Sequence, residues 1–208
     1  MVPENIRIKF KKTGRLKYIS HLDLCRTMQP AMRRARIPLW YTEGFNPHPK
    51  MVFAQPLPLF VESECEYLDI KITESLSCEE LRDRLRAAFT DELYVTEVYN
   101  PTEKFTAIAY AGYTMDGFGG LTEEGLKKAL SGELNVTKKT KSGEKTLDIR
   151  PQIKSVEILE NGLVYALLDA SGGSYLSPEL FCRAVYGEGG DHNIVRKEWY
   201  KSDMTEFR

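Results

Sequence analysis

No stretch of the chain approaches the ~20 consecutive apolar residues that a membrane-spanning helix requires. The start, Met1-Val2-Pro3-Glu4-Asn5, lacks the charged-then-apolar pattern of a secretory signal, so a cytoplasmic protein with no membrane partner is expected. Cysteine is scarce and scattered. Cys25, Cys65, Cys78 and Cys182 form no CxxC or CxxxC pair, which excludes a readable zinc site or radical SAM iron–sulfur cluster and leaves free thiols. Gly112, Gly117, Gly119 and Gly120 make neither GxGxxG nor GxxxxGK[ST]. Neither a cofactor nor a metal is expected, and no nucleophile–base–orienter triple is legible that would mark an enzyme.

What is present is an ordinary globular composition, 42% hydrophobic and 28% charged over 208 residues, enough for two domains of about 100 residues. The expected boundary gives domains 1–100 and 101–208. The formal net charge of −1 hides a strong asymmetry. Residues 1–60 hold eleven Lys or Arg against Glu4, Asp23 and Glu43, a balance of +8 that leaves −9 for the rest. A basic segment of this size concentrates polyanions unless acidic residues of the second half cover it.

Arg7-Ile8-Lys9-Phe10 alternates as a strand and Thr13-Gly14 ends it. Ser20 reads as a helix N-cap with Asp23 three residues on, the spacing of a capping box. Helical spacing puts Leu24, Cys25, Met28, Ala31, Met32 and Ala35 on one face and Arg26, Gln29, Arg33 and Arg36 on a neighbouring stripe; Pro30 is expected to bend the helix. Leu39–Tyr41, Met51–Ala54 and Tyr67–Ile72 read as strands, a helix capped by Ser77 follows, and Leu93–Val98 closes the domain. After Asn100-Pro101-Thr102-Glu103-Lys104 the order recurs. Strands are expected around Phe105–Met115, Leu147–Arg150, Lys154–Leu159, Leu163–Leu168 and Asn193–Tyr200, with helices around Thr122–Ser131 and Ser177–Tyr186. The expected fold class is α+β, two tandem ferredoxin-like (βαββαβ) domains.

The segment Gly44-Phe45-Asn46-Pro47-His48-Pro49-Lys50 is too polar and too proline-constrained for core and is expected to be a stiff, polyproline-like surface loop. Lys17, Arg26, Arg33, Arg36 and Lys50 are candidate phosphate contacts, and Phe45, Asn46 and His48 candidate contacts to base or sugar. Cations interleaved with rings are what single-stranded RNA binders use. Trp40 and Tyr41 alternate between faces, so Phe45 is the better stacking platform. His21 and His48 are weak catalytic candidates, an acid–base pair for metal-free RNA cleavage with Lys17 or Lys50 stabilising charge. A helix N-terminus discourages protonation of His21. The lysine-rich stretch Thr137–Thr146 reads as a solvated hairpin or loop, with a second phosphate clamp as its functional alternative.

The run from Phe10 through Gly14-Arg15-Leu16-Lys17-Tyr18-Ile19-Ser20-His21-Leu22-Asp23-Leu24, continuing through Arg33-Arg34-Ala35 and Gly44–Lys50 to Pro56-Leu57-Pro58, resembles the bacterial radical SAM-linked protein family, a domain of unknown function. Asp148-Ile149-Arg150-Pro151-Gln152-Ile153 is similar to a second block of that family. The resemblance implies a partnership with a radical SAM protein, as a separate chain or a fusion, encoded near ribonuclease and ribosomal-protein genes; it carries over no catalytic residue. The expected function is an RNA-binding accessory module that presents tRNA or rRNA to a radical SAM partner. The alternatives are a metal-independent endoribonuclease, for which tandem ferredoxin-like folds offer only fold-level analogy, and a protein-interaction adaptor that binds no nucleic acid.

Overall fold

A computed structural model describes residues 3–116, 119–140, 143–187 and 192–208. The chain parts into two units, Met1–Phe105 with Arg208, and Thr106–Phe207. Phe105, the last residue of the first stretch, has its ring centroid 4.2 Å from the Arg7 guanidinium carbon.

The first unit runs β1 (Glu4–Lys12), α1 (His21–Arg34), β2 (Met51–Phe53), β3 (Val61–Ile72), α2 (Cys78–Ala88), β4 (Val95–Tyr99). Its strands are antiparallel in the order β4-β1-β3-β2. Period-two alternation turns Ile6, Ile8 and Phe10 of β1 to one face, where Leu68, Ile70 and Ile72 of β3 join them. Leu24, Met28 and Met32 of α1 and Leu81 and Leu85 of α2 close that core. Each such side chain stabilises the unit by about 1.5–3 kcal/mol on burial, so truncating Leu68 to Ala is the kind of single change that opens a cavity costing about 2–5 kcal/mol. Both helices start where the sequence puts them: Ser20 accepts the Asp23 N–H and Ser77 accepts the Glu80 N–H, each at 3.1 Å. α1 continues through Pro30 as one helix, held by its buried apolar face.

Two strands differ from expectation. Leu39–Tyr41 is not a strand but a short edge segment: Leu39 bridges Ile72, the Trp40 N–H donates to the Lys71 carbonyl at 2.8 Å, and Tyr41 then turns away to pair with Pro49. β3 begins at Val61, six residues before the apolar alternation becomes obvious. Its first half, Val-Glu-Ser-Glu-Cys-Glu, hides strand character behind carboxylates, and Lys17 meets Glu62 at 3.6 Å.

The second unit runs β5 (Ile108–Met115), α3 (Glu123–Leu130), β6 (Asn135–Thr140), β7 (Gly143–Asp148), β8 (Ile153–Ile158), β9 (Val164–Asp169), α4 (Pro178–Tyr186), β10 (Ile194–Lys201). The strands β10-β5-β9-β8 form an antiparallel sheet and β6–β7 a separate hairpin. Met115, Val164, Ala166, Leu168, Phe181 and Trp199 are among its fully buried residues. The strand expected to reach Arg150 stops at Asp148. There the Asp148 carboxylate accepts the Leu134 and Arg150 N–H groups at 2.8 and 3.0 Å, and the chain turns into a short 3-10 segment containing Pro151. Lys141 and Ser142, in the lysine-rich stretch, lie outside the described residues, as does Gly117. Four α-helices and antiparallel sheet make the described residues a mixed α+β protein, and none of these helices is long and apolar enough to cross a membrane.

Candidate nucleic-acid interface

α1 ends in a left-handed turn built on arginine. Arg36 has φ 54°, the Arg36 N–H donates to the Arg33 carbonyl at 3.0 Å, and the Ile37 N–H donates to the Met32 carbonyl at 3.1 Å. These two bonds are those of a Schellman cap, whose left-handed position usually belongs to glycine. Arg33, Arg34 and Arg36 are all exposed at this end of α1, and among the described residues no ion pair engages them. Three residues after Arg36, at most about 11 Å of chain, Leu39 meets the end of β3 and the segment Thr42–His48 departs from the sheet edge.

That segment is a closed hairpin rather than the open extended loop the prolines alone imply. The Thr42 N–H donates to the His48 carbonyl at 2.9 Å and the Lys50 N–H to the Trp40 carbonyl at 3.1 Å. Gly44, at φ 120°, allows the chain to reverse. The Thr42 hydroxyl accepts the His48 N–H at 3.2 Å, while His48 Nδ1 lies 3.1 Å from the Asn46 carbonyl. Pro49 is buried and anchors the hairpin base, whereas Pro47 is exposed. At its tip the Phe45 side chain is exposed to 112% of the reference value, with Asn46, His48 and Lys50 exposed beside it in sequence. Trp40 is half-buried with the Lys71 ammonium 5.4 Å from its ring centroid, and Tyr41 is partly exposed, so Phe45 is the most open aromatic face of the segment.

The residues singled out in the sequence therefore fall into two groups. Arg33 and Arg36 stand at the exposed end of α1, and Phe45, Asn46, His48 and Lys50 lie exposed on the hairpin segment that follows it in the chain. Lys17 and His21 lie at the start of α1, separated from Arg33 and Arg36 by about 20 Å of helix, and Arg26 stands between them, 3.4 Å from Asp23. Lys17 is engaged with Glu62 and sits 5.6 Å from the Tyr18 ring centroid. His21 packs edge-on against Phe53 at 4.8 Å with Nε2 3.7 Å from the Cys25 sulfur. Desolvation lowers its pKa, opposed by Glu66 and aided by Lys12. His48 instead contacts Thr42 and Asn46 within the hairpin, and no hydrogen bond or ring contact joins the two imidazoles among the described residues.

Two features were not read from the sequence. Lys12 and Glu66 are almost wholly buried beside His21. They occupy the next positions in the apolar rows Ile6-Ile8-Phe10 and Ile72-Ile70-Leu68, a signal that alternation alone does contain. Tyr18, Leu22, Leu59 and Phe60 are exposed apolar side chains near the start of α1; Tyr18 and Phe60 meet edge-on at 5.9 Å, and Phe60 has φ 66°. The run Pro56–Phe60 was the hint, since its leucines and phenylalanine belong to no strand. Among the described residues no three His, Cys, Asp or Glu side chains converge as a metal site.

No curated protein matches the chain. Among solved structures, one similar chain comes from "Crystal Structure of a Cbf5-Nop10-Gar1 Complex", with a TM-score of 0.46 and 12% sequence identity. The likeness covers 95% of the present chain and 50% of that one, so the present chain spans about half of its length. Residues 5–178 match the model of a family described as an uncharacterized protein conserved in bacteria (DUF2344), and the chain belongs to that family.

Proposed function

We propose that the chain is a cytoplasmic RNA-binding accessory module that presents tRNA or rRNA to a radical SAM partner, with the end of α1 and the Thr42–His48 hairpin as the RNA surface. The observation that carries the reading is Phe45, a ring fully in solvent at the tip of a hydrogen-bonded hairpin. Exposing a phenylalanine there gains nothing from burial, whereas a base-stacking platform needs that exposure. Arg33, Arg34, Arg36 and Lys50 supply positive charge around it. The radical SAM partner is supported by the sequence resemblance alone. The order β-α-β-β-α-β in the first unit, and the same order with a β6–β7 hairpin inserted in the second, support reading both as ferredoxin-like.

The test is binding of the purified chain to total cellular RNA across a salt series, with sequencing of what is retained. With Lys17 occupied by Glu62, four free cations on a single strand give a log–log salt slope of about −3. Replacing Arg33 and Arg36 by Ala should weaken binding across sequences and flatten that slope; a salt-independent interaction, or none at low salt, overturns the reading. The adaptor alternative is favoured by one observation, the exposed Tyr18, Leu22, Leu59 and Phe60. Co-purification with a protein partner and no nucleic acid, lost in Phe60→Ala, would select it.

A further inference from the structure

We propose that His48 makes the hairpin selective for ribose: its Nε2 accepts a hydrogen bond from the 2′-hydroxyl of one unpaired nucleotide whose base stacks on Phe45. This rests on the RNA-binding reading above and narrows it to a substrate class.

His48 Nδ1 lies 3.1 Å from the Asn46 carbonyl oxygen and 3.2 Å from the Thr42 hydroxyl oxygen. A carbonyl oxygen only accepts, so the tautomer that makes the Asn46 bond has its hydrogen on Nδ1, with the Thr42 hydroxyl as a second acceptor. The Thr42 hydroxyl already accepts the His48 backbone N–H at 3.2 Å, which fixes the ring's side of the hairpin from both ends. In that tautomer Nε2 of the neutral ring is a lone-pair acceptor, and among the described residues the bonds of His48 are made by its Nδ1 and backbone N–H and not by Nε2. The ring is exposed, so this acceptor faces solvent.

An acceptor lone pair has nothing to offer a phosphate, unlike the neighbouring Lys50. It selects hydrogen-bond donors. The 2′-hydroxyl is the donor that every ribonucleotide presents whatever its base and every deoxyribonucleotide lacks. Phe45, three residues away on the same hairpin, offers its face to a base only if that base has left the helical stack, so the target nucleotide is unpaired. Cations would supply most of the affinity, and His48 the discrimination.

Three probes at one fixed salt concentration test this: a random-sequence single-stranded RNA 20-mer pool, the matching DNA pool and a fully paired RNA duplex, each titrated by fluorescence anisotropy. The single-stranded RNA should bind about fivefold tighter than the DNA, the worth of one hydrogen bond, and tighter than the duplex. His48→Asn places an amide N–H donor near Nδ1 and removes the Nε2 acceptor; it should abolish the RNA-over-DNA preference while keeping the salt slope. His48→Gln, with an amide oxygen able to reach the Nε2 position, should retain part of the preference. Equal, salt-sensitive binding of RNA and DNA by the unaltered protein, or an undiminished preference in His48→Asn, overturns the ribose inference and leaves the RNA-binding reading standing. Binding of none of the probes at low salt overturns both.

Discussion

Arg7 offers the sharpest test of how the first unit is held together. Its side chain is 0% exposed and meets Asp69, 25% exposed, through two parallel hydrogen bonds: Nε to Oδ1 at 2.7 Å and Nη2 to Oδ2 at 2.8 Å. Nη2 also donates to the Glu103 carbonyl at 2.9 Å, and the guanidinium plane stacks on Phe105. One charged side chain thus joins β1, β3 and the segment that leaves β4. Arg7→Ala strips Asp69 of its counter-charge in a site that is three-quarters dry and leaves the Glu103 carbonyl without that donor. Breaking a buried pair from one side costs about 3–5 kcal/mol, a large part of the roughly 5–15 kcal/mol that a domain has. Arg7→Lys keeps charge but not the fork and should lose about 1.5–3 kcal/mol, the worth of a charged hydrogen bond. The double variant Arg7→Met with Asp69→Leu removes both charges and should recover most of the loss. Equilibrium urea denaturation reads these values, with Trp40 reporting from the first unit and Trp199 from the second. If Arg7→Ala stays within about 1 kcal/mol of the unaltered protein, the pair behaves as a surface ion pair and the reasoning fails.

Other perturbations separate stability from binding. Arg36→Gly should raise stability by about 1 kcal/mol, because glycine carries no penalty in the left-handed position, while RNA affinity falls and the salt slope loses about 0.7; a loss of stability would mean the Schellman turn is not strained. His21 has its pKa lowered from 6.5 chiefly by desolvation. The unfolded chain therefore binds that proton at higher pH than the folded one, so the contribution is complete above pH 6.5 and is lost as the pH falls through the depressed folded value. Denaturation of His21→Gln at a series of pH values should show a shallower acid-side decline, and an identical decline would contradict the assignment. Burial pushes the Cys182 thiol up to about 12 and leaves Cys65 inaccessible, while desolvation raises the half-buried Cys25, so a thiol reagent near pH 8 should label Cys78 first, Cys25 more slowly, and Cys65 and Cys182 only on unfolding. Prompt labelling of Cys182 would place it at the surface.

Much of the first unit was legible because its determinants are local. Ser20 and Ser77 cap their helices by a side-chain oxygen that reaches three residues, and the Ile6-Ile8-Phe10 alternation needs only the strand's period of two. Asn161-Gly162 likewise announces its hairpin, with Gly162 at φ 79°. The exposure of Arg33, Arg36, Lys50 and Phe45 was also legible, since charge and proline spacing are properties of the chain. What it could not contain were relations between distant residues. The early start of β3 depends on β1 lying beside it, with Lys12 opposite Ser63 and Phe10 opposite Glu66. Only the tertiary structure packed His21 against Phe53, engaged Lys17 with Glu62, buried Arg7 against Asp69 and brought His48 Nδ1 to Thr42 and Asn46. The physical reason is one of range: capping and alternation act over two to four residues, whereas solvation, charge pairing and the choice of proton on an imidazole are fixed by neighbours that the fold alone brings close.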